Sequence, residues 1–144
     1  MRYLLDVNVL MAITWPTHVA HIKAQSWFLE SGNSGWVTSP GTESGFIRLS
    51  SNPLIVGEVV TPNTCAGVLE SLKKVGEYGF VTDGIELAQE LAKSDVSLTG
   101  YRQVSDAHLA LVAQTNRCVF ATLDSGAADL AQRLGTESLL IETW

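Results

Sequence analysis

Four carboxylates stand out as residues that could do chemistry together: Asp6, Glu43, Asp106 and Asp124. Asp6 ends the apolar run 2–6, and Glu43 falls in the first turn of a helix that follows a second strand. Asp106 opens a strongly patterned helix, and Asp124 follows the apolar, β-branched run 118–122. Taken singly, Glu43, Asp106 and Asp124 are the acids that helix N-termini favour. Asp6 fits that explanation less well, because it abuts a buried-type strand and polar Asn8 follows within another apolar run; a buried acid needs partners. Two carboxylates 4 Å apart repel by roughly 4 kcal/mol at an effective dielectric of 20, so a cluster of four calls for cations. Oxygen ligands without supporting Cys or His suit Mg²⁺ or Mn²⁺. Helix N-termini facing the same crevice would favour a phosphate. Carboxylates, hard divalent cations and a phosphate site together are the apparatus of phosphodiester hydrolysis.

For the acids to meet, the elements must place them at one edge. Residues 2–6 read as a buried strand and 8–14 as a helix broken at Trp15-Pro16-Thr17. A helix over 19–30 ends in the loop cluster 31–35. Residues 35–39 form the second strand candidate, Pro40-Gly41 reads as a turn, and Thr42 as the cap of the next helix. The segment 54–60 is apolar but interrupted by Gly57. A helix runs from Pro62 to Lys74, a weak strand over 79–82, and a helix over 85–93 with Ile85, Leu87, Ala88 and Leu91 inward. A polar loop, 97–103, precedes the helix over 104–114, capped by Ser105 or Asp106. Strand 118–122, a helix to Leu134 and a strand over 138–142 complete the chain. Strands alternating with helices predict one α/β domain spanning 1–144, with a mostly parallel sheet and helices on both faces. In such sheets the binding crevice lies beyond the carboxyl ends of the strands, where the acids fall.

Composition narrows the class. The chain has 144 residues, 46% hydrophobic, with 9 Lys+Arg against 15 Asp+Glu and a formal net charge of −6. That supports one folded domain with a real core. No apolar run approaches a membrane span, and Asp6 comes too early for a signal peptide, so the expected location is the cytoplasm. Two cysteines, Cys65 and Cys118, make no disulfide scaffold. An acidic protein cannot hold nucleic acid by bulk charge; it needs a local basic patch, bound metal or a partner's charge.

Four motifs then point to a family. Leu4-Leu5-Asp6-Val7-Asn8-Val9-Leu10, Thr42-Glu43, Ser105-Asp106-Ala107-His108-Leu109-Ala110 and Ala121-Thr122-Leu123-Asp124 occur in this order. With that order and spacing the chain resembles a PIN-domain nuclease, over essentially its whole length, and specifically a VapC-type toxin of a toxin–antitoxin pair. His18, Trp27, Phe28 and the stretch Gly45-Phe46-Ile47-Arg48-Leu49 are similar to one branch of those toxins. The resemblance implies an endoribonuclease using Mg²⁺ or Mn²⁺, an RNA substrate, a homodimer and a cognate antitoxin that blocks the site. It makes Asp6, Glu43, Asp106 and Asp124 the acidic quartet, with Asp6 and Asp106 as direct ligands, and Asn8 and Thr122 as polar residues that orient ligands or water. Many relatives carry a basic residue after the last acid; here it is Ser125. The implied reaction is in-line attack of water on an RNA phosphorus.

Other residues carry plainer readings. Asp129 reads as a solvated helix acid. His18 and His21 share a helix face but lack further zinc ligands, and His108 lies two residues from Asp106, which on a helix turns it elsewhere. Cys65 and Cys118 read as small buried hydrophobes. Trp15, Trp27, Trp36 and Trp144 read mostly as core, with one or two available for a dimer or antitoxin surface. Tyr101-Arg102 can stack on a base and contact phosphate, and Arg48, Lys73, Lys74 and Arg102 are the candidate RNA contacts. A competing function is a non-catalytic PIN-fold module that binds RNA or antitoxin without cutting. Phosphoryl transfer on a similar sheet lacks an Asp where Asn8 stands and a Lys after Thr122.

Overall fold

The computed structural model describes residues 1–142. Five short strands form the sheet: β1 (Tyr3–Leu5), β2 (Trp36–Thr38), β3 (Tyr78–Phe80), β4 (Val119–Thr122) and β5 (Ser138–Leu140). All neighbouring pairs are parallel, in the order β3-β2-β1-β4-β5. The helices are α1 (Val7–Thr14), α2 (His21–Glu30), α3 (Pro40–Ser50), α4 (Pro53–Val56), α5 (Pro62–Leu72), α6 (Leu87–Lys93), α7 (Gln103–Thr115) and α8 (Ser125–Arg133). The strand order reverses between β1 and β4, a topological switch point whose crevice collects ligands in open α/β sheets.

Alternation along each strand divides the core into two layers. Leu5, Trp36 and Ala121 face one side, packed with Val9, Phe28, Phe46 and Leu69 from α1, α2, α3 and α5. Leu4, Val37 and Phe120 face the other, packed with Ala110, Ala113, Ala127 and Ala131 from α7 and α8. Alanine on α7 and α8 lets both helices lie close to the sheet. Gly45 lets α3 lie close to α1: a Cβ there would stand 2.7 Å from Val7 Cγ2.

Two local expectations are corrected, and one open segment is resolved. Pro40-Gly41 is not a turn before the helix but its first turn. Ser39 caps it, accepting from Thr42 N while Thr42 Oγ1 accepts from Ser39 N, and Pro40 lacks only an N–H that the helix start leaves free. The ambiguous segment 54–60 holds the single turn α4, stopped by Gly57 at φ 83°. Helix α6 starts at Leu87 and has no buried residue; Ala88 is exposed.

Candidate active site

Asp6 leaves β1 at the switch point and caps α1. Its N–H donates to Ala121 O of β4 at 2.9 Å. Its Oδ1 accepts from Val7 N at 2.7 Å, and its Oδ2 accepts from Thr122 Oγ1 at 2.7 Å. Only 7% exposed, the carboxyl has no cation within ion-pair distance among the described residues. Burial pushes its pKa up to about 6; the Thr122 hydroxyl and the Val7 N–H pull down, while Asp106 and Asp124 add repulsion.

Asn8 and Thr122 tie β4 to α1 around this carboxylate. Asn8 Nδ2 donates to Thr122 Oγ1 at 3.4 Å, and Asn8 Oδ1 accepts from Leu123 N at 3.3 Å. Thr122 Oγ1 also accepts from Asp124 N at 3.1 Å. Asp124 caps α8, its Oδ1 accepting from Gly126 N and Ala127 N.

Asp106 falls in the first turn of α7, as expected, but it does not cap the helix: α7 begins at Gln103 and Arg102 occupies the cap position without a side-chain bond. Asp106 therefore sits inside the helix with its carboxylate free of capping. Burial raises its pKa, and repulsion from Asp124 adds to that. The structure thus brings three of the four sequence-chosen acids into electrostatic contact.

Glu43 is turned to different partners. Its Oε2 accepts from Thr38 Oγ1 at 2.7 Å and Tyr78 Oη at 3.4 Å, and pairs with Lys73 Nζ at 2.9 Å. Lys73 is also bound by Glu70 and lies 5.3 Å from the Tyr78 ring centroid. Burial would raise the Glu43 pKa, but the Thr38 hydroxyl and Lys73 outweigh it and hold it low. The same two glutamates raise that of Lys73 against its own desolvation. Lys73, a candidate RNA contact from the sequence, is consumed here.

Asp6 and Asp106 open onto a cleft of about 240 Å³ between α3 and α7, which Gly41, Gly45, Arg48 and His108 also line. Spacing alone sent His108 away from Asp106, but the cleft is wide enough to be lined by Ser105, Asp106, His108 and Leu109 together. His108 Nε2 is held 2.6 Å from Asp83 Oδ2, and Asp83 Oδ1 accepts from Ile85 N. Nothing in local sequence linked Asp83 to the site; it arrives from the loop after β3. A larger cleft of about 590 Å³ lies beside Trp15 and Leu54, but Glu58 is the single acid among its lining residues.

The remaining readings resolve simply. Asp129 pairs with Arg133. His18 Nδ1 accepts from Ala20 N and His21 Nδ1 bonds Ala12 O, and no third His, Cys, Asp or Glu joins them as a metal ligand among the described residues. Cys65 and Cys118 are buried free thiols. Trp36 is wholly buried, Trp15 and Trp27 are half-buried, and Trp144 lies outside the described residues.

Among the described residues, no three His, Cys, Asp or Glu side chains converge into a metal cage. Such a set does not make the closed four-ligand site of structural zinc. It does suit Mg²⁺, which takes one or two carboxylates and completes its shell with water and substrate phosphates. The buried, cation-free Asp6 beside Asp106 is the donor chemistry such an ion requires.

Comparison with known proteins places the chain. No family model matches the sequence. It is 39% identical over 131 residues to Ribonuclease VapC38 of Mycobacterium tuberculosis, covering 90% of each chain. Ribonuclease VapC39 of the same organism is 36% identical over 91% of this chain and 94% of its own. Ribonuclease VapC29 is 33% identical over 99% and 98%. The fold matches the crystal structure of FitAcB from Neisseria gonorrhoeae with a TM-score of 0.52 at 14% identity, covering 95% and 96%. The class is a PIN-domain α/β protein. Within it, the chain belongs to the VapC ribonucleases, toxins of toxin–antitoxin systems.

Proposed function

We propose that the protein is an Mg²⁺- or Mn²⁺-dependent endoribonuclease that hydrolyses RNA phosphodiester bonds at the Asp6–Asp106–Asp124 cluster. The observation that carries the reading is Asp6 itself: buried, held near pKa 6 and facing two further aspartates without a cation. Asp6 and Asp106 are the direct ligands, and Asp124 binds or orients water from the cap of α8. Glu43 belongs to the quartet the family resemblance implies; here it reaches the ion only after release from Lys73, and its first role is to fasten α3 to β2 and α5. A bound divalent ion would lower the pKa of water and steady charge on the phosphoryl oxygens. Thr122 and Asn8 fix the direction of the Asp6 carboxylate. A cognate antitoxin neutralises the site, and the working form is a homodimer acting on cytoplasmic RNA.

Incubating purified, antitoxin-free protein with total bacterial RNA tests this, in Mg²⁺ or Mn²⁺ and again in EDTA. Discrete cuts that need metal and vanish in Asp106→Asn are expected. Intact RNA under every condition, with a folded protein, would favour a module that binds without cutting.

A further inference from the structure

We propose that single-stranded RNA enters the site along the start of α7, a base stacking on Tyr101 while Arg102 and Arg48 hold the phosphates flanking Asp106. This rests on reading the aspartate cluster as a ribonuclease site.

A census of cations leads there. Lys73 is bound by Glu43 and Glu70, Lys93 by Glu90, and Arg133 by Asp129. Arg2 donates to Asn116 O. Lys23, Arg48, Lys74, Arg102 and Arg117 have no carboxylate partner among the described residues. One of these five stands at the acids, and a second precedes Asp106 by about one helical turn. Arg48 lines the cleft with Asp6 and Asp106. Arg102 is already helical, at φ −68° and ψ −20°, and lies four residues before Asp106. That spacing puts both on one helix face, about 6 Å apart along the axis. Neither guanidinium is spent on the neighbouring carboxylate, so each remains free for a phosphate.

Tyr101 supplies the second element. It is 81% exposed, and Arg102 Nε donates to its Oη at 3.3 Å with the guanidinium 5.7 Å from the ring centroid. The turn that carries it is pinned: Gln103 Oε1 accepts from Thr99 N and Oγ1, and Gln103 N donates to Gly100 O. An aromatic face on a fixed turn beside a guanidinium without a carboxylate partner fits an unpaired base and its phosphate. It does so in a chain of net charge −6, which can spare few other cations for RNA.

The experiment measures binding of a fluorescein-labelled random 20-nucleotide RNA by anisotropy between 50 and 200 mM salt. Asp106→Asn protein serves as parent, so that the probe survives. Tyr101→Ala should weaken binding on the order of ten-fold, and Tyr101→Phe should restore it. Arg48→Gln and Arg102→Gln should each weaken binding and make the log–log salt slope shallower by about 0.7. Lys23→Gln should change nothing, and circular dichroism checks each fold. If Arg48→Gln unfolds, Arg48→Lys should keep the parental salt slope. A parent that binds while all three variants match it overturns the proposal and leaves the nuclease reading intact. A parent that fails to bind at 50 mM salt overturns both. Variants that lose antitoxin capture but bind RNA normally assign the surface to the protein partner and overturn it too.

Discussion

Replacing Asp6 by Asn should stabilise the protein at neutral pH while abolishing its activity. In the native state the Asp6 carboxyl titrates at about 6, against an ordinary 3.8. A raised native pKa means that the folded state binds the proton more tightly than the unfolded chain. Stability from Asp6 is therefore fully present below pH 3.8 and is lost as pH rises through 6. At pH 7.5 the ionised carboxylate costs about 3 kcal/mol, at 1.36 kcal/mol for each pH unit between the two values. Asn removes that charge and still caps α1. It has one oxygen where Asp has two, so it cannot accept from both Val7 N and Thr122 Oγ1, and the lost bond returns about 1 kcal/mol. The net gain is about 2 kcal/mol, or roughly 6 °C in Tm for a domain of this size. Thermal melts in EDTA from pH 4 to 8 measure it. The variant's advantage should grow between pH 4 and 7, and Mg²⁺ should raise the wild-type Tm at pH 7.5 without moving Asp6→Asn. An Asn variant that melts lower than wild type at pH 7.5 in EDTA would refute the reasoning, as would a wild-type Tm that climbs from pH 5 to 7 without metal.

Thr122→Val should cost about 1–3 kcal/mol in chemical denaturation, because it strips Asp6 Oδ2 of its donor and leaves Asn8 and the Asp124 N–H short of an acceptor. Gly45→Ala should lower Tm by an amount equivalent to about 1–3 kcal/mol, since its methyl would press on Val7; an unchanged Tm would mean that α3 slides freely. Lys73→Met should destabilise by about 1–2 kcal/mol at pH 7 by leaving the half-buried Glu43 unpaired. Because the native Glu43 pKa is held low, that deficit should shrink in melts as pH falls below the ordinary glutamate value and the carboxyl protonates.

The parallel strands and the acids at the ends of β1 and β4 were legible because they depend on patterns that local sequence carries. An apolar run ending in acid marks β1, and Ala121-Thr122-Leu123-Asp124 marks the end of β4; parallel pairing then sets Asp6 beside Thr122. Caps were less legible. Ser105 and Asp106 are both good capping residues, so residue type could not tell a cap from a site, whereas the structure starts α7 at Gln103 and frees Asp106. Glu43 shows the other limit. Its position in the first turn of α3 agreed with expectation, but a side chain's direction depends on which partners arrive from distant elements. Here Lys73 and Tyr78 come from beyond α4. His108 and Asp83 meet across 25 positions, and neither residue signals the other.

The two hydrogen bonds on Asp6 have a consequence for how readily the site takes an ion. With Oδ1 fixed by a backbone N–H and Oδ2 by Thr122 Oγ1, the carboxylate is a stopped rotor, its plane set before any ligand arrives. A free aspartate must surrender side-chain rotation to coordinate; this one lost it when the chain folded. Ion uptake should then be less opposed by entropy than at an exposed acid. Its strength should also follow the integrity of the β1–β4 seam, so a substitution there that touches neither ion nor RNA would still loosen both.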